Sequence, residues 1–185
     1  MKLTVQKRTA GKTNRLRREG NIPGILYGFN QKGTPVQVKE EEIQMILRNM
    51  KPGLLATTIF EIEEGSHRHK AIIKDVQYNV ASYQIEHVDF VLIAEDQPVT
   101  VKVPIQLVGV ADCVGVKLGG FIRQVVRTLK VSCLPKHIPQ EFTIDVRELN
   151  LGQSKTLDSI GIPPNVRPLA KMGGVAVVVG KKAGT

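Results

Sequence analysis

From Val99 the chain reads VTVKVPIQLVG, and Val99, Val101, Val103, Ile105 and Leu107 alternate strictly with less apolar residues. Successive side chains of a strand point to opposite faces, so this spacing predicts a half-buried antiparallel strand. Strand signals recur in VVRTLKVSC, FTIDV and VAVVV, with glycines 115, 119 and 120 breaking the chain before Phe121 and LPKHIP breaking it after Cys133. No strong helical pattern follows residue 96. The texture changes between Glu95 and Pro98, which divides the chain into an N-terminal domain, 1–95, and a mostly β domain, 96–185.

In the first domain the strand IEHVDFVLI is the most informative. Val88, Phe90 and Leu92 share one face, which must turn inward, so His87 and Asp89 project from the outer surface of the sheet. EEEIQMILRNM is a helix: Ile43, Ile46, Leu47 and Met50 fall at i, i+3, i+4 and i+7, with acids in the first turn and KPG as the stop. A hairpin follows, TTIFEIEEG returning into HKAIIKDVQ, with Gly65 at the turn. Before these elements, NRLRREGNIPGILYG predicts a short helix over Asn14–Glu19, capped by Thr13 or Asn14 and ended by Gly20. Pro23 and Gly24 are expected to make a turn, and ILY a strand that holds the arginine segment to a core.

At 185 residues and 42% hydrophobic composition the chain can bury a core in each domain without metals or disulfides. Cys113 and Cys133 have no CxxC spacing and read as buried small hydrophobes. The N-terminus has no apolar core of signal-peptide length, and no apolar run approaches a membrane span, so a cytoplasmic chain without a membrane partner is expected. The net charge is +9, and from Met1 to Arg18 there are seven Lys or Arg residues and no acid. Such a cluster suits a polyanionic partner.

Little in the sequence points to catalysis or to a cofactor. GKT at Gly11–Thr13 lacks the upstream glycine of a phosphate loop, since position 6 is Gln6, and HRH at His67–His69 offers two donors only. His87 and Asp89 share a face and admit three readings: a catalytic pair, a solvated strand face, or a polar recognition surface. With Tyr27 on a strand and arginines nearby, the third suits RNA, where rings meet bases or sugars and guanidiniums meet phosphates. Asp89 would repel phosphate, so it accepts from a base amino group, a 2′-hydroxyl or His87. Arg123, Arg127 and Lys130 read as an exposed strand face, and GKKAGT as a tail.

GKTNRLRREGNIPGILYG, KDVQ and EHVDFV together resemble the CTC, or general stress protein, family of bacterial large-subunit ribosomal proteins that bind 5S ribosomal RNA. GVKLGGFIRQVVRTLKVSCLPKHIPQEFTIDVRELNLGQS resembles the additional C-terminal β-domain of its longer members. The resemblance implies a mainly β protein: an α+β N-terminal β-barrel with short helices, docked on the loop E region of 5S rRNA, and a C-terminal all-β domain. It implies a non-enzymatic, ribosome-associated protein without a cofactor; the partner of the second domain is left open, with neighbouring ribosomal proteins as a candidate. Carried over by position, Arg8, Lys12, Asn14, Arg17 and Arg18 are the basic-segment contacts, Tyr27 the ring on the RNA, and His87 and Asp89 the polar pair. Lys70, Lys74 and Gln77 complete the set. NVASYQ departs from the family, where this loop is often basic, so no phosphate contact carries over to residues 79–84. Rivals to this reading are a stress-linked RNA-binding factor acting off the ribosome, a His/Asp hydrolase, and a scaffold for other proteins.

Overall fold

The computed structural model describes residues 2–8, 11, 13–28, 33–51, 53–64 and 67–181, and the chain divides into two units, Met1–Val99 and Thr100–Thr185. The first contains β1 (Lys2–Lys7), α1 (Asn14–Arg18), β2 (Asn21–Tyr27), β3 (Thr34–Lys39), α2 (Glu40–Asn49), β4 (Ile59–Glu64), β5 (His67–Tyr78) and β6 (Ile85–Leu92). Its strands close into a barrel in the order β1-β3-β2-β6-β5-β4. The pairs β1/β4 and β2/β6 are parallel and the others antiparallel. Closure pairs both edges of every strand, so a side chain is classed simply as inside or outside.

The inside is apolar. Leu3, Val5, Ile22, Val36, Phe60, Ile62, Ile73, Val88 and Phe90 are buried together there, and each such side chain contributes about 1.5–3 kcal/mol by leaving water. Helix α2 adds Ile43 and Ile46 to the same core, with Leu47 and Met50 packed against it, as the helical spacing requires. Its acids stand in the first turn, and Glu42 Oε2 accepts from the backbone N–H of Thr4 at 3.0 Å, tying the helix to β1. The β4/β5 hairpin pairs as expected, while the turn expected at Gly65 lies outside the described residues.

Two local expectations are corrected. Pro23 and Gly24 do not form a turn but continue β2 into the barrel, paired with Gln37 and Val36. The glycine is there because β2 and β6 approach too closely for a side chain: a Cβ at position 24 would stand 2.6 Å from the Val88 carbonyl oxygen and 3.3 Å from the Phe90 ring. Helix α1 has no side-chain cap bond from Thr13, although Gly20 does end it in the left-handed region with φ +75°.

The second unit contains most of β7 (Val99–Val108), then α3 (Val114–Lys117), β8 (Gly120–Gln124), β9 (Thr128–Cys133), β10 (Phe142–Asp145), β11 (Ser154–Thr156), β12 (Val166–Pro168) and β13 (Val175–Lys181). These make one sheet in the order β10-β7-β9-β12 and another in the order β11-β13-β8, a mainly β unit as expected. The pairing of β7 with β10 is parallel, however, and not antiparallel. Strict alternation also ends at Val103, because Pro104 is buried as well and Leu107 is only half-buried. The stretch VVRTLKVSC is a strand only from Thr128, since Val125 and Val126 donate instead to the Ala176 carbonyl. Both cysteines are buried and free, and burial pushes the Cys133 thiol up from its ordinary range.

Candidate nucleic-acid interface

The registers of β5, β6 and β2 assemble one polar surface on the outside of the barrel. Gln77 pairs with His87, Asp75 with Asp89, and on the other side of β6 Ile25 pairs with Asp89 and Tyr27 with Val91. Val88 and Phe90 point into the core, so His87 and Asp89 face outward as their alternation predicts. His87 Nδ1 lies 2.9 Å from Asp89 Oδ1, the two side chains being 19% and 22% exposed. This nitrogen is fully covered and out of line for a hydrogen bond, so a ligand meets the ring through Nε2. The Asp89 carboxylate in turn is held against the imidazole and faces Asp75 across the strand pair. Two carboxylates opposite each other repel phosphate, which leaves hydroxyl and amino donors as the groups this spot can receive.

Asp75 was not visible in the alternation of β5. The register shifts between Ile73 and Asp75, so Lys74 is an extra residue in a bulge and Asp75 joins Gln77 on the outer face. The signal available was Ala71, Ile72 and Ile73, three consecutive apolar residues where a strict period of two allows no such run. Lys74 is exposed beside this row. Lys70 stands at the other end of this face, roughly 20 Å along β5 from Gln77 but two residues beyond Ile72, which pairs with Val91 beside Tyr27. Its ammonium pairs with Glu95 at 3.2 Å.

The arginines divide by what they already hold. Arg17 donates from Nε and Nη2 to the Glu86 carbonyl, at 3.3 and 3.0 Å, and from Nη1 to Asn14 Oδ1 at 3.3 Å. Three of its five N–H donors are thus spent fixing α1 to β6 and organising the helix itself. Arg8 donates from Nε to the Val36 carbonyl at 3.1 Å, and its backbone N–H reaches Pro35. Arg15 pairs with Glu19 at 2.9 Å, a bond that raises its already high pKa. Arg18 is exposed, and nothing among the described residues bonds its side chain. Lys12 lies outside the described residues. Between β1 and α1 an open cleft is lined by Lys7, Arg8, Arg15 and Gln37 among others, with the acid Glu19 as its one negative wall. The short helix is therefore anchored partly by its own arginine, not by the tyrosine strand alone.

Tyr27 ends β2 with 37% of its surface exposed. Beside it is Gly33, a residue the sequence did not single out. A Cβ at position 33 would meet Ile25 Cγ2 at 2.8 Å and Tyr27 Cε1 and Cδ1 at 3.2 and 3.3 Å. The ring therefore lies against bare backbone, which sets its tilt over the outer face. Any larger residue would displace Ile25 or the ring. Among the described residues no group of three or more His, Cys, Asp or Glu side chains is placed to hold a metal ion, and no helix is long and apolar enough to cross a membrane.

Comparison with known proteins covers both units. Residues 3–90 match the model of the ribosomal L25p family, and residues 98–183 that of the C-terminal domain of ribosomal protein TL5. Over 98% of this chain and the full length of the relative, the chain is 38% identical to the large ribosomal subunit protein bL25 of Chlamydia abortus. With the same coverage it is 36% identical to that of Chlamydia muridarum and 34% identical to that of Chlamydia pneumoniae.

Proposed function

The chain belongs to the bL25 family of bacterial large-subunit ribosomal proteins, and from that premise we propose that it binds 5S ribosomal RNA, at loop E, through the outer face of β5, β6 and β2. Family membership makes it a structural, non-enzymatic component of the large ribosomal subunit, acting in translation on the cytoplasmic ribosome. The RNA itself is the proposal. The observation that carries it is the registered outer row of Gln77, His87 and Asp89, flanked by Tyr27 and by an arginine helix locked to β6.

The parts divide the work by chemistry. Arg18, Lys12, Arg8 and the free donors of Arg17 meet phosphates; Asn14, which orients Arg17, stands with them. Tyr27 packs its ring on ribose or base, and Gln77, the His87 Nε2 edge and Asp89 exchange hydrogen bonds with 2′-hydroxyls and base edges in the shallow groove. Lys74 adds charge at the bulge, and Lys70, paired with Glu95, adds it toward the Tyr27 end of the face. In this reading residues 1–95 are the RNA-binding domain, and residues 96–185 extend toward neighbouring ribosomal proteins.

The test is a competition gel shift of the purified chain on 5S rRNA, at about 0.15 M salt with excess transfer RNA, beside His87→Ala. Wild-type binding that survives competition and is lost in the variant supports a specific face. Equal displacement of both by transfer RNA would leave a generally basic protein with some other RNA target.

A further inference from the structure

At the end of the β5/β6 hairpin the residues Tyr78 to Gln84 read YNVASYQ, without a charge in a chain that is 23% charged. The loop is nevertheless built. Asn79 Oδ1 accepts from the backbone N–H groups of Ala81 and Ser82 at 2.9 and 3.0 Å. Asn79 Nδ2 donates to Glu86 Oε1 at 2.8 Å, and the Tyr83 N–H donates to the Asn79 carbonyl at 2.9 Å. Tyr83 is held at φ 56°, the sole positive-φ residue other than glycine among the described residues, a conformation uncommon for an aromatic side chain. Its ring is 81% exposed, with Val80 at 91% and Tyr78 at 48% beside it.

We propose that this tip is a stacking platform for an unpaired nucleobase of the bound RNA, with Tyr83 as the ring that receives it. The inference rests on the RNA reading above and extends it to a loop from which phosphate contacts were not expected. A charge-free tip offers phosphate nothing, whereas every base has a π-face that a solvent-facing ring on a hydrogen-bonded turn can meet. Two rings and a valine, with Ser82 and Gln84 among them, are also too little apolar area for a stable protein interface, which takes about 800 Å² from each partner. The tip also adjoins the arginine helix. A polar cleft of about 190 Å³ is walled by Arg17, Asn21 and Glu40 on one side and by Asn79, Gln84 and Glu86 on the other, so the arginine helix and the base of the tip border one space.

The chain contains no tryptophan, so Tyr83→Trp creates a sole tryptophan at the tip, excited apart from Tyr27 and Tyr78. Its emission is expected to be quenched when 5S rRNA is added to the full chain. In parallel, Tyr83→Phe keeps the ring and should bind as wild type, while Tyr83→Asn removes it with a residue that tolerates the left-handed turn. The asparagine variant is expected to bind roughly fivefold to a hundredfold more weakly. Unchanged affinity in Tyr83→Asn together with unchanged tryptophan emission on an RNA that the wild type binds overturns the platform and leaves the RNA reading intact. Failure of the wild type to bind RNA removes both. Emission that ignores RNA but responds to added large-subunit proteins makes the tip a protein contact and also overturns the inference.

Discussion

The two units carry their charge in opposite ways. Residues 1–99 hold 14 Lys and Arg against 12 Asp and Glu, while residues 100–185 hold 12 against 5, so most of the net +9 belongs to the second unit. Yet the surface with a defined geometry is on the first. There the basic residues gather before Arg18, the acids follow them, and strand register fixes Gln77, His87, Asp89 and Tyr27 relative to one another. In the second unit Arg123, Arg127 and Lys130 are exposed and scattered over β8, β9 and the segment between them. Net charge attracts a polyanion from a distance, whereas recognition needs groups held in place. The nearly neutral unit is the better candidate for specificity.

The harshest test of that contrast separates stability from binding. Phe90 is 0% exposed in the barrel and Phe142 4% exposed in the second unit, so Phe90→Ala and Phe142→Ala should each cost about 3–5 kcal/mol in a denaturant titration. Measured where both variants remain folded, only Phe90→Ala should weaken RNA binding, because Phe90 lies beneath Asp89 on β6. If Phe142→Ala weakens it equally, recognition is not confined to the barrel.

How far the sequence foretold this surface depends on whether a pattern was local. The alternation of β6 alone determines that His87 and Asp89 face outward, and the helical spacing of Ile43, Ile46, Leu47 and Met50 determines which side of α2 meets the core. Each is a property of one element with one buried side. Pro23-Gly24 misled because the sequence shows a turn-forming pair while the reason for the glycine, the Val88 carbonyl on β6, is far away in the chain. The outward placing of Asp75 was not legible for a related reason: a bulge at Lys74 exchanges the faces of everything beyond it, and only the partner strand reveals it. The parallel partner of β7 was equally invisible, since alternation reports burial and not strand direction. Arg17 counted as free charge in the sequence, but its acceptor is the Glu86 carbonyl, which no side-chain pattern announces.

A finer test concerns how the barrel holds its ring. Gly33→Val would push its side chain into Ile25 and Tyr27, so the ring must tilt away. The expected loss of RNA affinity approaches that of Tyr27→Ala, about 1–3 kcal/mol if the ring stacks on a base. The double variant should lose little more than either change alone, because both act on the same ring. Additive losses in that cycle would mean that residue 33 contacts RNA itself and is not merely the floor under Tyr27.

The smallest effect is the most direct measure of where phosphates are met. Each phosphate contact contributes roughly 0.7–0.9 to the slope of log affinity against log salt. Arg18 is exposed and unbonded among the described residues, so Arg18→Ala should reduce the slope by about that amount. Arg123→Ala and Lys130→Ala, in the unit with the larger net charge, should leave the slope unchanged. Arg17→Ala separates anchor from contact. With two of its donors on the Glu86 carbonyl, its loss should shift the slope less than that of Arg18 while speeding amide hydrogen exchange in α1, because the helix loses its tie to β6. A full unit of slope from Arg123→Ala, with none from Arg18→Ala, would move the phosphate path to the second unit and reverse the contrast between the two.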